Sequence, residues 1–518
     1  MWTARGVLIC APDAAVSAVA ALELFNTLSG RVERLEPVGA PALRMYACGP
    51  TIYDYGHIGN FRTFLHVDVL RRFLRQQGMA VEHVMNVTDV DDKIIRNALA
   101  AGMPIGEYTA RFERAFFEDM EALGIERPEH TPRATEHIAE MVTLIEQLAA
   151  KDIAYQTEDG SWYFRIARFA EYGKLSKKDL EGMEDGARVD ADEYEKDAAR
   201  DFALWKAAKT AGADGQPEPS WQTALGAGRP GWHIECSAMA TAILGESFDL
   251  HAGGEDLMFP HHENEIAQSE AASGRTFARH WMHVRFLLVE GKKMSKSLGN
   301  FYTLRDLLLK EHKASAIRYL LLSVPYRHQM NFTFEGLAGA TNAIERLRTF
   351  HERMLRGGFA VGVVDAAVTA ATAKSASEFT AALANDLNTA EAAAAISEMV
   401  RAANSAADAG TLGEENAAEV LRVLALFDEV FAVLEDRDEE RTRAALKWAE
   451  AEGRISEAAP ELVAKLALSD EAIEALVAER TEAKKTRNFA RADAIRAELL
   501  AKGVVIEDSK DGVRWKRK

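Results

Sequence analysis

The chain is poor in cysteine, short of basic charge and free of long apolar runs, and each shortage removes a class of function. Three cysteines in 518 residues are too few for a disulfide framework and are in keeping with a reducing compartment, the cytoplasm. No stretch of about eighteen uninterrupted apolar residues exists, so no membrane span is expected. The apolar patch at residues 6–10 is cut short by Pro12 and Asp13, which makes it too brief and too polar for a secretory signal. Residues 1–21 therefore read as an extension outside the folded domains. With 62 Lys and Arg against 80 Asp and Glu the net charge is −18, and polyanions are repelled at long range. A nucleic-acid partner would have to dock on a local basic patch. The final stretch offers one, with Lys510, Arg514, Lys516, Arg517 and Lys518 around Trp515.

What is present is ordinary for a globular enzyme of three or four domains: 48% hydrophobic and 27% charged residues. Residues 43–47 read as a strand, 59–77 as a helix with apolar positions at Phe61, Phe64, Leu65, Val69, Leu70 and Phe73, and 81–86 as the next strand. Strand, helix, strand is the unit of a parallel sheet. Residues 125–230 break the rhythm with a strand-like piece at 162–164 and a charged loop near 181–200, which suggests an insertion. The rhythm returns over 231–325, with a strand at 286–289. Beyond Tyr326 the pattern is alanine-rich and helical, with a frayed connection at 356–375 and a bundle to about 450. A terminal helix at 491–500 and a hairpin of 504–507 with 512–516 close the chain. The expected fold is α/β: a Rossmann-type parallel-sheet domain at 22–330 with the insertion, a helical bundle at 331–465, and a small α+β module at 466–518.

Two cysteines, a histidine and a glutamate carry metal-ligand chemistry. Cys48 closes the first predicted strand. Cys236 ends Gly231-Trp232-His233-Ile234-Glu235-Cys236, and His261 and Glu265 stand four apart after Pro260. A helix starting at Pro260 puts His261 and Glu265 on one face, although the spacing does not choose between His261 and the adjacent His262. Two thiolates, an imidazole and a carboxylate make a tetrahedral set that suits Zn2+. Taken singly, each residue reads better as a buried small hydrophobe or a polar helix residue than as a ligand. The neighbouring motifs shift that balance.

His57-Ile58-Gly59-Asn60 reads either as a turn with a surface histidine or as a strand-to-helix turn whose glycine lets the backbone approach a phosphate or adenine. Lys293-Met294-Ser295-Lys296-Ser297 reads either as a solvated basic loop or as cations and hydroxyls that gather around a pentavalent phosphate. His251-Ala252-Gly253-Gly254-Glu255-Asp256 adds a glycine turn followed by carboxylates suited to ribose hydroxyls. A soft metal beside two nucleotide motifs points to ATP-driven activation of a thiol-bearing substrate.

Together these segments resemble the class I aminoacyl-tRNA synthetases, and most closely the cysteinyl-tRNA synthetases, from about Leu22 to the end. Cys48-Gly49-Pro50-Thr51-Ile52-Tyr53-Asp54 leading into His57 to Asn60 is similar to that family's first signature. The segments around Cys236 and His261 are similar to its metal segments, and Lys293 to Ser297 matches its second ATP signature without change. The resemblance implies L-cysteine, tRNA(Cys) and ATP with Mg2+ as substrates, and one Zn2+ held by Cys48, Cys236, His261 and Glu265 in a monomer. It implies catalytic positions at His57, Asn60, Lys293 and Lys296, and ATP contacts from His57, Gly59, Asn60, Gly254, Asp256 and Lys296. Thr88 and Asp89 would line the cysteine pocket, and Trp232 would move with substrate. Arg487, Asp493 and Asp511 would read anticodon base edges while Trp515 stacks on a base. One departure stands out: Asn60 occupies the place of the second histidine in the class-wide His-Ile-Gly-His, and asparagine donates without carrying charge.

A pocket that separates cysteine from serine by size alone gains only about 1–3 kcal/mol, whereas Zn2+ favours sulfur and lowers a thiol pKa. Such a site needs no editing domain, and the insertion is modest in size. An alternative on the same catalytic half is the ligase that joins cysteine to a glucosaminyl-inositol in mycothiol synthesis. That family lacks the tRNA-reading end, to which Arg487 to Arg496 and Gly512 to Arg517 are similar here. A non-catalytic RNA-binding paralogue should have lost metal or ATP residues, and none is missing.

Overall fold

The computed structural model describes residues 22–37, 39, 41–177, 188–189, 201–208, 219–466, 470–502, 504–509 and 512–517. The extension at 1–21, most of the charged loop near 181–200, and Asp511 lie outside the described residues.

Four parallel strands form the central sheet, in the order Ala278–Val284, Phe248–Gly254, Ala42–Ala47, Ala80–Met85. The sheet is covered on both faces, as parallel sheets require. Along Ala42–Ala47 the side chains alternate between two cores. Leu43, Met45 and Ala47 enter a core that runs on into the helical bundle, and Tyr46 and Cys48 enter one that includes Phe202 and Trp205 of a second sheet. From Ala42–Ala47 the chain passes through the helix Ile58–Gln76 to Ala80–Met85 on one side. It reaches Phe248–Gly254 on the other side only after a long excursion. Strand order therefore reverses beside Ala47, and open α/β sheets bind ligands at the carboxyl ends of strands at such a point. The Cys48 N–H donates to the Ala252 carbonyl at 3.1 Å, which fixes the thiol there.

The excursion contributes the helix Ile138–Ala150 and an antiparallel sheet built on Ala154–Gln156, Trp162–Phe164, Asp201–Ala207, Gly226–Pro230 and Trp221–Thr223. Three expectations need correction. Residues 251–254 are not a turn but the end of the strand Phe248–Gly254. The strand expected at 286–289 is Leu287–Val289, and it pairs with Met330–Phe332 and Lys292–Lys293 in a separate three-stranded sheet. The connection expected at 356–375 is shorter, because Asp365 caps the helix Ala366–Ala384 by accepting from the Ala367 and Val368 N–H groups.

Past Phe334 the chain is helical, through Phe334–Arg356, Ala366–Ala384, Thr389–Ala409, Glu414–Phe431 and Asp438–Ala451. The terminal module pairs the helices Asp470–Lys485 and Phe489–Ala501 with the hairpin Val504–Ser509 and Gly512–Arg517 around Ile473, Ile495, Leu499, Val504 and Ile506. Among the described residues no helix is long and apolar enough to cross a membrane.

Candidate active site

The helix Trp232–Leu244 starts at Gly231, where a Cβ would lie 2.2 Å from the Ala203 carbonyl oxygen. From His233 to Ala240 every residue is buried, so the helix is enclosed on all sides. One turn separates Trp232 from Cys236, which puts them on the same face. The second ligand segment departs from expectation. Phe259 is extended (φ −140°, ψ 131°), Met258–His262 forms a wide turn, and the regular helix begins at Glu263 instead of Pro260. His261 and Glu265 still meet, with Nε2 3.1 Å from Oε1.

Cys48, Cys236, His261 and Glu265 are all buried, and their donor atoms lie within 4.8 Å of one another. The two sulfurs are 3.7 Å apart and Cys48 Sγ is 3.4 Å from Glu265 Oε1. A tetrahedral Zn2+ with bonds of about 2.0–2.3 Å requires edges of about 3.3 Å between nitrogen and oxygen donors and about 3.8 Å between sulfurs. The donor set and its edges fit that ion. Cys48, His251, His262 and Glu265 form a second, overlapping group. Glu265 faces both ways, with Oε1 toward Cys48 and His261 and Oε2 2.9 Å from His251 Nε2. His262 turns instead to His283 at 2.8 Å, which reaches the Thr27 hydroxyl at 2.9 Å. The imidazole grouped with both cysteines is that of His261.

Burial pushes the Cys48 thiol well up, and Cys236 and Glu265 push it further. In spite of burial, His251 and His261 hold Glu265 down to about 2, and Glu265 and Cys236 hold His261 up to about 10. A buried cluster this rich in acids calls for positive charge. The Trp232 ring stacks on His261 with centroids 4.2 Å apart.

The floor beside the cluster is tied by hydrogen bonds. Asn86 accepts from the Gly49 N–H at 2.8 Å and donates to the Thr88 hydroxyl at 3.2 Å. Thr88 donates in turn to Glu235, next to Cys236, at 2.9 Å. The Asp89 carboxylate is engaged by Thr135, accepting from its N–H and hydroxyl at 3.0 and 2.6 Å.

The helix Ile58–Gln76 opens on a reciprocal cap. His57 Nδ1 accepts from the Asn60 N–H at 3.1 Å, and Asn60 Oδ1 accepts from the His57 N–H at 3.2 Å. Desolvation lowers His57 to about 4, and nearby Lys296 adds to the effect. A Cβ on Gly59 would lie 3.0 Å from the His57 ring and 3.3 Å from the Met294 methyl, so glycine lets the two loops close together. The loops are joined further by Ile58 N–H donating to Tyr302 O at 3.0 Å and by an ion pair between Lys296 and Asp54. Lys293 is exposed on the same loop. Asp256 follows the strand end, its Oδ1 2.4 Å from where a Gly254 Cβ would stand, so a side chain at 254 would have to displace that carboxylate.

Three family models cover most of the chain. Residues 34–342 match the "tRNA synthetases class I (C) catalytic domain", 378–435 the "DALR domain", and 468–515 the "Cysteinyl-tRNA ligase anticodon binding domain". A cysteine–tRNA ligase of Koribacter versatilis is 59% identical over 501 residues, covering 96% of this chain and 100% of the relative. That of Solibacter usitatus is 52% identical over 498 residues, with 96% and 100% covered. The chain belongs to the cysteine–tRNA ligase family. The fold is shared more widely: a Mycobacterium tuberculosis methionyl-tRNA synthetase in complex with methionyl-adenylate superposes with a TM-score of 0.57 at 16% identity, over 83% of this chain and 95% of that one.

Within this family frame, the terminal module exposes Arg487, left-handed at φ 58° between two helices, and Asp493 one helix turn beyond the Asn488 cap. Trp515 is half-buried against the module's core. Sequence reasoning missed Asp54, Asn86, His233 and His251 as partners of the site. His233 lies 3.0 Å from His261, one turn before Cys236, and that spacing was a usable signal. Nothing local announces Asp54, whose partner Lys296 is 242 residues away.

Proposed function

We propose that the chain condenses L-cysteine with ATP to give cysteinyl-adenylate and pyrophosphate, then passes the cysteinyl group to the terminal ribose of tRNA(Cys). The observation that carries this reading is the buried convergence of Cys48, Cys236, His261 and Glu265 at the carboxyl end of a parallel sheet, in a chain whose relatives are cysteine–tRNA ligases. Those four side chains would hold one Zn2+, and such an ion supplies a thiol-selective Lewis acid.

The chain's own residues position and neutralise. His57 uses Nδ1 as an acceptor, so its neutral ring carries the proton on Nε2 and offers it to a phosphate oxygen. Asn60 has its oxygen engaged and keeps its NH2 for the same task. Lys296 leaves Asp54 for the phosphates, with Lys293 behind it on the loop. Gly59 lets the nucleotide approach the backbone, and Gly254 and Asp256 receive the ribose. Thr88, Asp89 and Trp232 shape the cysteine pocket. No side-chain nucleophile takes part; positioning and charge stabilisation suffice. ATP enters with Mg2+. Residues 22–330 perform the chemistry, with the insertion at about 125–230. Residues 331–465 bind tRNA, and 466–518 read the anticodon through Arg487, Asp493, Asp511 and Trp515. The enzyme works as a monomer in the cytoplasm.

Cys236→Ser tests the centre. Bound zinc, read by native mass spectrometry, and cysteine-dependent ATP–pyrophosphate exchange should disappear together, and exchange that survives without metal overturns the zinc assignment. Given total tRNA and a glucosaminyl-inositol together, the chain should charge tRNA, and an inositol adduct in its place overturns the acceptor.

A further inference from the structure

Trp448, on the helix Asp438–Ala451, touches the surroundings of both nucleotide loops. Its indole N–H donates to the Tyr55 hydroxyl at 3.2 Å, and the two rings meet edge-on at 5.1 Å. Tyr55 directly follows Asp54, the carboxylate that pairs with Lys296. On the other side the Arg305 guanidinium lies 4.8 Å from the Trp448 ring centre. Arg305 is buried and donates to Asp119 at 2.8 Å, two residues after Thr303, which pairs with His57. One indole thus contacts the neighbour of the Lys296 anchor and the neighbour of the His57 partner.

The contact is specific in kind. Besides packing against the apolar core, this indole is framed by a hydroxyl and by the cations of Arg305 and Arg454, the latter 4.9 Å from the ring centre. Glu452, one turn further on, pairs with Arg111, which donates to the same Tyr55 hydroxyl at 3.2 Å. The chain then continues past Ala459, whose N–H donates to Leu309 O at 2.9 Å, into Pro460–Leu466 and on to the terminal module.

We propose that Trp448 is a positioning residue for the ATP step: it fixes Tyr55, and through Tyr55 the place where Asp54 holds Lys296. Trp448 lies on the helix that leads on toward the terminal module, and its hydrogen bond to Tyr55 ties that segment to the nucleotide loops. The chemistry invoked rests on the adenylate-forming reading above.

The test uses the full chain without tRNA. Trp448→Phe keeps an aromatic edge and removes the N–H, and Tyr55→Phe removes its acceptor. In cysteine-dependent ATP–pyrophosphate exchange, each should raise KM for ATP about two- to tenfold, the range spanned by one neutral hydrogen bond. KM for cysteine and the thermal midpoint should stay at wild-type values, and the double variant should be no worse than either single. The proposal is overturned if KM for ATP is unchanged, if the two losses multiply, or if both KM values rise as the thermal midpoint falls. ATP with Mg2+ titrated against the thermal midpoint repeats the comparison without turnover. Wild-type chain that binds ATP but fails to exchange pyrophosphate refutes the adenylate reading, while the titration still decides the role of Trp448.

Discussion

His57 and Asn60 show how a motif position can change residue type and keep its geometry. A carboxamide at the third helical position supplies both an acceptor for the His57 N–H and a free NH2. Asn60→Asp keeps the acceptor, loses the NH2 and puts negative charge where phosphate is expected. It should raise KM for ATP by about tenfold or more, in line with losing a charge-facing hydrogen bond, while the thermal midpoint holds. A midpoint that falls with unchanged KM would show the residue to be only a cap. His57 bears on pH. Its pKa is lowered from 6.5 to about 4, so below 6.5 the unfolded chain binds a proton that the folded chain refuses. The ring therefore costs stability as pH falls from about 6.5 to 4 and costs none above that window. The pH profile of kcat/KM for ATP should show no inflection from this ring between pH 5 and 8. An inflection near 6.5 that vanishes in His57→Asn contradicts a neutral donor.

At the scale of elements, the parts legible in the sequence are those whose partners are local. The helix Ile58–Gln76 announced itself through Phe61, Phe64, Leu65, Val69, Leu70 and Phe73, all buried at helical spacing. The strand Ala278–Val284 did not. His280 and His283 interrupt its apolar pattern, and they are satisfied by Leu24 O at 3.0 Å and by His262 and Thr27, all distant in sequence. The four metal-type donors stood out because their residue types are scarce and chemically narrow. Spacing left His261 and His262 open and only the resemblance favoured His261; the fold groups His261 with both cysteines through backbone geometry that no spacing rule encodes. Gly49 shows how tightly two strand ends are set. A Cβ there would fall 1.7 Å from the Asn86 carbonyl oxygen, so Gly49→Ala must push Ala42–Ala47 and Ala80–Met85 apart just where Cys48 stands. Zinc content by native mass spectrometry and the thermal midpoint should both fall, and a normal value of either speaks against the tight packing.

Across the whole molecule, Arg318 fastens the catalytic half to the helical bundle. It is buried, donates to Asp68 at 2.8 Å and to Leu123 O and Gly124 O at 3.0 Å each, and reaches Val430 O and Phe431 O at the end of Glu414–Phe431. Arg318→Met leaves Leu123 O, Val430 O and Phe431 O without this donor, while Asp68 keeps Arg72 and the Glu126 N–H, so the loss should be about 1–3 kcal/mol, that of buried acceptors left unsatisfied. Urea unfolding should shift to lower midpoint and proteases should cut the bundle sooner. Unchanged values for both would reduce Arg318 to filler. The assembly also has an order in time. A ribosome releases Cys48 217 residues ahead of Glu265, and Ala42–Ala47 waits as long for its neighbour Phe248–Gly254. Any ion held by these four side chains is captured late, after translation has run through half the message, because the centre cannot close before Glu265 has left the ribosome.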